Sequence, residues 1–421
     1  MPESPLPNRP PEFRVTALHS RHLALGAVMA SFSGWNMPLW YMAGAVKEHL
    51  AVIRDAGLFD TGHMDIILLS GEKVREFLNF ACTRDISALP PRRAAYGAFL
   101  DQRGHCLDDA VIYPLNGGRY ALVVNAGMGP AIRHHLALLP EAAGIDIREP
   151  AGRLAKLDLQ GPASAAILGE ILDQAEQVLP ELSFFSFKGD FDLAAGGVRL
   201  KDGTPILLSR TGYTGELGFE IFLQPEQAGR VWDHLLQAGK PKGLLPCGLA
   251  ARDSLRTGAV LPLCRQDIGN WPFINHPWES ALPLTKDEPL SFTKDFVGRN
   301  ALDRAAAPHT LPFAGFDQRR VDPHTAKVVQ AGRECGTILT IVTDMAIGRT
   351  DGAITGLSSP ERPENWTPRG LACGFVKVDR RLEAGTQVTL KDGRREIKAE
   401  IVRDIRPNRS ARARHKISRT T

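Results

Sequence analysis

The sequence predicts an α+β protein with a ferredoxin-like module in its first half and an all-β barrel or sandwich at its end. Three observations predict this. Residues 61–149 read as strand, helix, strand, strand, helix, a ferredoxin-like order. Residues 205–222 read as a strand, a glycine-rich turn and a second strand. Beyond Arg304, helical periodicity stops and short strands alternate with turns. At 421 residues the chain is too long for one compact core and suggests two or three domains.

In chain order, the proline-rich start has no apolar segment typical of a secretory signal and reads as a disordered leader over 1–13. Ile66 to Leu69 is a short apolar strand. Val74, Phe77, Leu78 and Ala81 follow at i, i+3, i+4 and i+7, which predicts a helix. Leu107 to Tyr113, Gly117-Gly118 and Tyr120 to Asn125 predict a hairpin, and Gly129-Pro130 opens a second helix. Gly161-Pro162 opens a helix through Ile167, Leu168 and Ile171, with proline at its first position. Strands are expected around Phe191–Leu193, Val198–Leu200 and Ile206–Leu208. Gln224 to Ala238 is helical, and a helix over Gly248 to Arg256 puts Arg252 and Arg256 on one side. Ala305 to Pro312 reads as a linker. Val328-Val329, Gly336–Leu339, Gly374–Val378, Gln387–Leu390 and Ile397–Val402 read as the strands of the C-terminal unit.

Composition excludes several classes. The 43% hydrophobic and 23% charged content is that of a soluble globular protein, and no apolar run reaches the ~18 residues that cross a bilayer. The net charge of +4 is concentrated at the end: Arg403 to Thr421 holds seven Lys or Arg and one Asp, leaving the rest at −2. That pattern reads as a solvated basic tail over 409–421 on a mildly acidic body, which argues against a nucleic-acid partner. The six cysteines show neither Cys-x-x-Cys nor zinc-ligand spacing, so a reducing cytoplasm fits and a metal is not expected.

The densest signal is Ser209-Arg210-Thr211-Gly212-Tyr213-Thr214-Gly215-Glu216-Leu217-Gly218-Phe219-Glu220. Three glycines in seven residues mark a tight turn or a close approach, and Glu220 among apolar strand residues needs a partner. By spacing alone this is a glycine-rich hairpin. It nevertheless resembles the signature of the aminomethyltransferase (T protein) of the glycine cleavage system and its folate-dependent relatives. In the same order as in that family stand Gly34-Trp35-Asn36-Met37-Pro38, Gly57-Leu58-Phe59-Asp60-Thr61-Gly62-His63-Met64, Leu107-Asp108-Asp109-Ala110, Val123-Val124-Asn125-Ala126, Leu159-Gln160-Gly161-Pro162 and Cys247-Gly248-Leu249-Ala250-Ala251-Arg252-Asp253. The match is close over 15–300 and loose over 300–405.

The resemblance implies a three-domain, ring-like α+β aminomethyltransferase fold with a ferredoxin-like module and a C-terminal β-barrel, the folate entering at the centre. Its boundaries would be 14–60 with 150–262 for a central folate-binding domain, 61–149 with 263–303 for the ferredoxin-like domain, and 304–408 for the barrel. It implies tetrahydrofolate as one-carbon acceptor, and the composition adds the expectation of a cytoplasmic enzyme with neither nucleic-acid nor membrane partners. Asp109 occupies the position assigned to catalysis in the family, with Asp108 as the adjacent alternative, since neighbours on a strand point to opposite faces. Glu220 and Arg252 match folate-binding positions. Tyr113 and Tyr213 are expected to cover the pterin, and Asn125 and Met64 come from matching motifs. Arg395, or Arg394, corresponds to a C-terminal arginine near the folate tail. Away from the family, Asp108-Asp109 reads as a turn, Arg252 as a surface partner of Asp253, and the tyrosines as core.

The sequence departs from the family after Arg256. Thr257 to Arg265 lacks a family glutamate and carries Cys264 where a tyrosine is usual, and Ile268 to His276 adds residues, among them Trp271 and Phe273. Trp278 adds a further aromatic as the pattern resumes. Thr340 to Asp351 looks inserted. The acceptor side is kept and the donor side rewritten, so three readings stand. One is an aminomethyltransferase fed by a lipoyl carrier (H) protein, giving 5,10-methylenetetrahydrofolate and ammonia. Another is a folate-dependent demethylase taking methyl from a small O- or S-methyl donor. The last is a non-catalytic folate-binding iron–sulfur assembly factor, against which the absence of that group's reactive-cysteine motif counts.

Overall fold

A computed structural model describes residues 13–285, 291–302 and 308–412. The leader apart from Phe13, residues 305–307 of the expected linker and residues 413–421 of the basic tail lie outside the described residues.

The centre is a six-stranded sheet in the order Phe187–Lys188, Leu207–Ser209, Gly218–Leu223, Ala155–Gln160, Ala56–Asp60, Leu244–Pro246. All neighbours are antiparallel except the last pair. Strand alternation sets its two faces. Leu157, Leu159, Phe219 and Ile221 pack with Trp232 and Leu235 of helix Pro225–Gly239 and Ile167 of helix Ser164–Ile171. The intervening Lys156, Asp158, Gln160 and Glu220 belong to the opposite face. Proline precedes the Ser164 helix and does not occupy its first turn. Phe191–Leu193 forms turns, and Val198–Leu200 makes only isolated bridges, because Asp190, Asp192 and three nearby glycines favour turns over a ladder.

The second sheet runs Ala95–Leu100, Cys106–Pro114, Tyr120–Val124, Asp65–Ser70, Asp146–Arg148, antiparallel throughout. Helices Val74–Ala81 and Gly129–Ala137 cover one face through Phe77, Leu78, Ile132 and Leu136, packed on Ile67, Ile112 and Leu122. The last four strands make the ferredoxin-like arrangement. Ala95–Leu100 is an added edge strand, a segment whose alanines and glycine concealed its β character. The other face, with Tyr113, Ala121 and Val123, meets Phe187, Leu207 and Phe222 of the central sheet. The two sheets therefore share one apolar seam, and the cleft opens at its end.

The C-terminal unit is a closed barrel of His309–Gly315, Leu371–Val378, Arg333–Asp344, Lys327–Gln330, Gln387–Lys391 and Glu396–Ile401. His309 to Pro312, expected in a linker, begins the first barrel strand, where Pro312 is tolerated as a strand residue. Much of the segment from Thr340 to Asp351 belongs to the long barrel strand and the Ile347–Thr350 hairpin arm.

After the barrel the chain returns to the centre. Arg406, 1% exposed, donates to Asp344 at 2.7 Å and to the Thr214 carbonyl. The Ala411 amide donates to the Gly215 carbonyl at 3.1 Å, and the Ser410 hydroxyl to Glu216. Residues 409–412, expected as part of a solvated tail, are thus docked on the signature loop. Gly215 has φ +78°, and a Cβ there would lie 2.5 Å from Arg409 Cδ and 2.7 Å from Ala259 Cβ. Only glycine accommodates both the left-handed backbone and that approach.

Candidate functional site

A cleft of about 1260 Å³ lies where the central sheet, the second sheet and the returning C-terminal segment converge. Asp109, Asn125, Met64, Tyr213, Glu220 and Arg252 all line it, although they are scattered over nearly 190 positions. Asp108, Tyr113 and Arg395 do not.

The central sheet supplies three charges of the floor, and a neighbouring helix supplies the fourth. Glu220 pairs directly with Asp158 across the antiparallel ladder, so both side chains emerge on one face, with Lys156 diagonal to Glu220. The Lys156 ammonium donates to Glu220 and, at 3.1 Å, to the Thr61 hydroxyl. Thr211 Oγ1 donates to the other Glu220 oxygen. Arg252, on helix Leu249–Gly258, donates to Asp158 at 2.7 Å, and its guanidinium lies 5.2 Å from the Tyr213 ring centre. Gln160 donates to the remaining Asp158 oxygen at 2.6 Å. Burial pushes the Glu220 carboxyl up, but Lys156, Thr211 and Arg252 outweigh it and hold it below the usual carboxylate range. Asp158, deeper, is raised by burial despite the two cations. The expected surface pair of Arg252 with Asp253 is absent; Asp253 binds Arg256 instead.

The second sheet supplies the facing wall. Alternation along Cys106–Pro114 sends Asp108, Ala110 and Ile112 toward the helices, and Asp109, Val111 and Tyr113 toward the central sheet. Asp109 reaches the cleft, while Asp108 is fully buried. Asn125 ties them together, its amide donating to Asp108 at 2.7 Å and also to Asp109. The Asn125 backbone N–H donates to Asp108 at 3.0 Å, and Tyr96 donates its hydroxyl to Asp109 at 2.7 Å. No cation bonds either aspartate among the described residues. Burial and the neighbouring Asp109 push Asp108 up to about 7, and burial raises Asp109 too. The pair therefore titrates together. Cys264 Sγ lies within 4.8 Å of both carboxylates and 3.8 Å from Cys106 Sγ.

Three expectations need correction. Tyr113 does not cover the cleft: it is fully buried in the seam between the sheets, its hydroxyl 3.3 Å from Ser209 and 3.5 Å from Glu220. Asp108 supports Asn125 from below. Arg395 sits in a separate hollow on the barrel with Arg320 and Asp392, and Arg409 and Arg412 of the returning segment reach the cleft instead. Of the added aromatics, Trp271 stacks on His276 and Phe273 is buried, so both fill the structure behind the wall. Trp278 alone lines the cleft, stacked 4.4 Å from Tyr96. Sequence reasoning missed Lys156, Asp158, Thr211 and Tyr96. Alternation of Ala155–Gln160 against apolar Leu157 and Leu159 was the available signal for the first two.

Residues 18–281 match the family model described as GCVT N-terminal domain. The chain is 37% identical over 348 residues to an aminomethyltransferase of Streptomyces coelicolor, covering 80% of this chain and 88% of that one. It is 30% identical over 392 residues to an aminomethyltransferase of Natranaerobius thermophilus, covering 92% and 96%. The fold superposes on the crystal structure of glycine cleavage system aminomethyltransferase T from Bartonella henselae with a TM-score of 0.74 and 27% identity, over 93% of this chain and 97% of that one.

Proposed function

The chain belongs to the aminomethyltransferase family that carries the GCVT N-terminal domain, and from that premise we propose that it transfers the carbon of an aminomethyl group from the lipoyl arm of a carrier protein to tetrahydrofolate, giving 5,10-methylenetetrahydrofolate, ammonia and the freed dihydrolipoyl thiol. It is a folate-dependent transferase. Tetrahydrofolate is the acceptor and supplies the nucleophilic ring nitrogens. No helix among the described residues is long and apolar enough to cross a membrane.

One observation carries the residue assignment: across a single cleft, Glu220, held below the usual carboxylate range by Lys156, faces Asp109, which burial raises and which shares Asn125 with Asp108 buried behind it. On the floor, ionised Glu220 accepts N–H bonds from a heteroaromatic edge. Arg252 fixes that edge beside the Tyr213 ring, whose hydroxyl is anchored to the Pro262 carbonyl at 2.7 Å. On the wall, Asp109 takes up or returns a proton at its carboxylate, held in line by Tyr96 and Asn125. Phe32, Met64 and Leu89 line the same cleft and exclude water from the reacting atoms. Arg84, Arg93, Arg265, Arg409 and Arg412 add positive charge, which suits the anionic tail of a folate and an acidic carrier surface.

A second reading keeps one observation in its favour. Cys264 places a small side chain beside Asp109 where the family carries tyrosine, leaving room for a compact methylated donor. The test offers purified enzyme and tetrahydrofolate either an aminomethyl-loaded lipoyl carrier or small O- and S-methyl donors. Ammonia release with the carrier alone supports aminomethyl transfer, and methyl transfer to N5 from a small donor replaces it with demethylation.

A further inference from the structure

One buried polar group in the cleft takes no part in binding at Glu220 and Arg252 or in proton exchange at Asp109. His63 lines the cleft, is only 5% exposed, and makes no hydrogen bond through either ring nitrogen to any described residue. Its Nδ1 is sealed from solvent, whereas Nε2 is not, so the open edge of the ring faces the cleft. The Phe32 ring meets the His63 ring edge to face at 5.5 Å. Its loop is pinned from both sides: the Gly62 amide donates to Asp60 at 2.9 Å, and Arg153 donates to the Gly62 and Met64 carbonyls at 3.1 and 3.0 Å.

Chemistry decides which nitrogen carries the proton. Burial first, and then the charges of Arg252, Lys156 and Arg153 against the opposing Asp60, push His63 down to about 3, so the imidazole is neutral. A neutral ring has one N–H and one bare nitrogen. A sealed N–H without an acceptor is costlier than a sealed lone pair, so Nδ1 is bare and Nε2 carries the hydrogen.

We propose that His63 is a ligand-binding residue of this cleft, its Nε2–H donating a hydrogen bond to an acceptor atom of the pterin, a ring carbonyl or ring nitrogen. This rests on the folate reading. It deepens that reading by giving the cleft a donor opposite in kind to Glu220: the carboxylate receives the ligand's N–H groups, and the imidazole supplies one to its lone pairs. A neutral donor beside Arg252 and Lys156 adds no further positive charge, which a lysine or arginine there would.

Calorimetric titration of the full chain with tetrahydrofolate tests it, comparing wild type with His63→Phe, which keeps a ring against Phe32 but has no donor, and His63→Gln, which keeps an amide donor. The expected result is binding weakened about tenfold or more in His63→Phe and largely retained in His63→Gln, with KM for folate rising more than kcat falls. Equal affinity in wild type and His63→Phe overturns the proposal, as does equal weakening in both variants. Nitrogen NMR of the wild-type ring is a check independent of any variant's folding: an Nε2–H tautomer is expected, and an Nδ1–H tautomer overturns it. Failure of folded wild type to bind tetrahydrofolate would sink the folate reading, an outcome distinct from all of these.

Discussion

Each side of the cleft presents one carboxylate backed by a second buried behind it, and the two pairs have opposite electrostatics. On the central sheet, Glu220 and Asp158 are interleaved with Lys156 and Arg252, so charge is balanced within bonding distance. On the second sheet, Asp108 and Asp109 share the Asn125 amide, Asp109 alone accepts the Tyr96 phenol, and neither has a bonded cation among the described residues. A balanced floor holds its charges fixed and is suited to binding. An unbalanced wall keeps a proton near neutrality and is suited to exchanging one. Three-dimensional placement of cations, and not carboxylate content, separates the two roles.

The largest effect that would break this contrast is at the floor. Glu220→Ala leaves the Lys156 ammonium buried without its carboxylate, so tetrahydrofolate binding should fall beyond calorimetric detection and unfolding stability by about 3 kcal/mol. Denaturant unfolding and titration read both; tight binding by the variant would remove Glu220 from the site. At the wall, Asp109→Asn should bind folate nearly as wild type while turnover drops about a hundredfold or more. Loss of affinity equal to the loss in turnover would make Asp109 a binding group instead.

The pH response sharpens the contrast further. Because the folded-state pKa of Asp108 lies above its unfolded value, the pair costs nothing below the unfolded carboxylate range. As pH rises from there through about 7, the unfolded chain ionises first, and the native state progressively loses stability. Wild type should therefore melt at a lower temperature at pH 8 than at pH 5.5 on account of this pair. Asp108→Asn should narrow that difference and shift the ionisation seen in kcat to lower pH, since Asp109 loses its like-charged neighbour. An unchanged melting difference would mean the aspartates are not coupled. The smallest effect belongs to Arg395→Ala, remote on the barrel: stability within about 0.5 kcal/mol and unchanged folate affinity.

Several of these features were legible in the residues. Asp109 facing away from Asp108 follows from strand alternation, and the long helix Pro225–Gly239 follows from Ala228, Val231, Trp232 and Leu235 on one stripe. Glu220 and Arg252 were found through motifs, yet their partners were not, because Lys156 and Asp158 lie some 60 to 95 positions away and look like ordinary polar strand residues. Tyr113 was misplaced for a related reason: nothing local distinguishes a tyrosine that covers a cleft from one sealed between two sheets. The docking of Arg406 to Arg412 was hidden too, since a basic terminus looks alike whether solvated or held by Asp344 and Glu216.

The sequence by itself determined the family, the α+β class with its closing barrel, and the short-range periodicities that decide which side of each strand is apolar. Those are local properties, written in neighbouring residues and in motifs whose spacing survives as text. Only the tertiary structure decided that Asp109 and Glu220 face one another, that Arg409 and not Arg395 reaches the cleft, and that His63 keeps an open nitrogen there. Those outcomes depend on long-range packing of two sheets across an apolar seam, and the energies that separate them, burial against charge pairing, exist only once distant residues have been brought together.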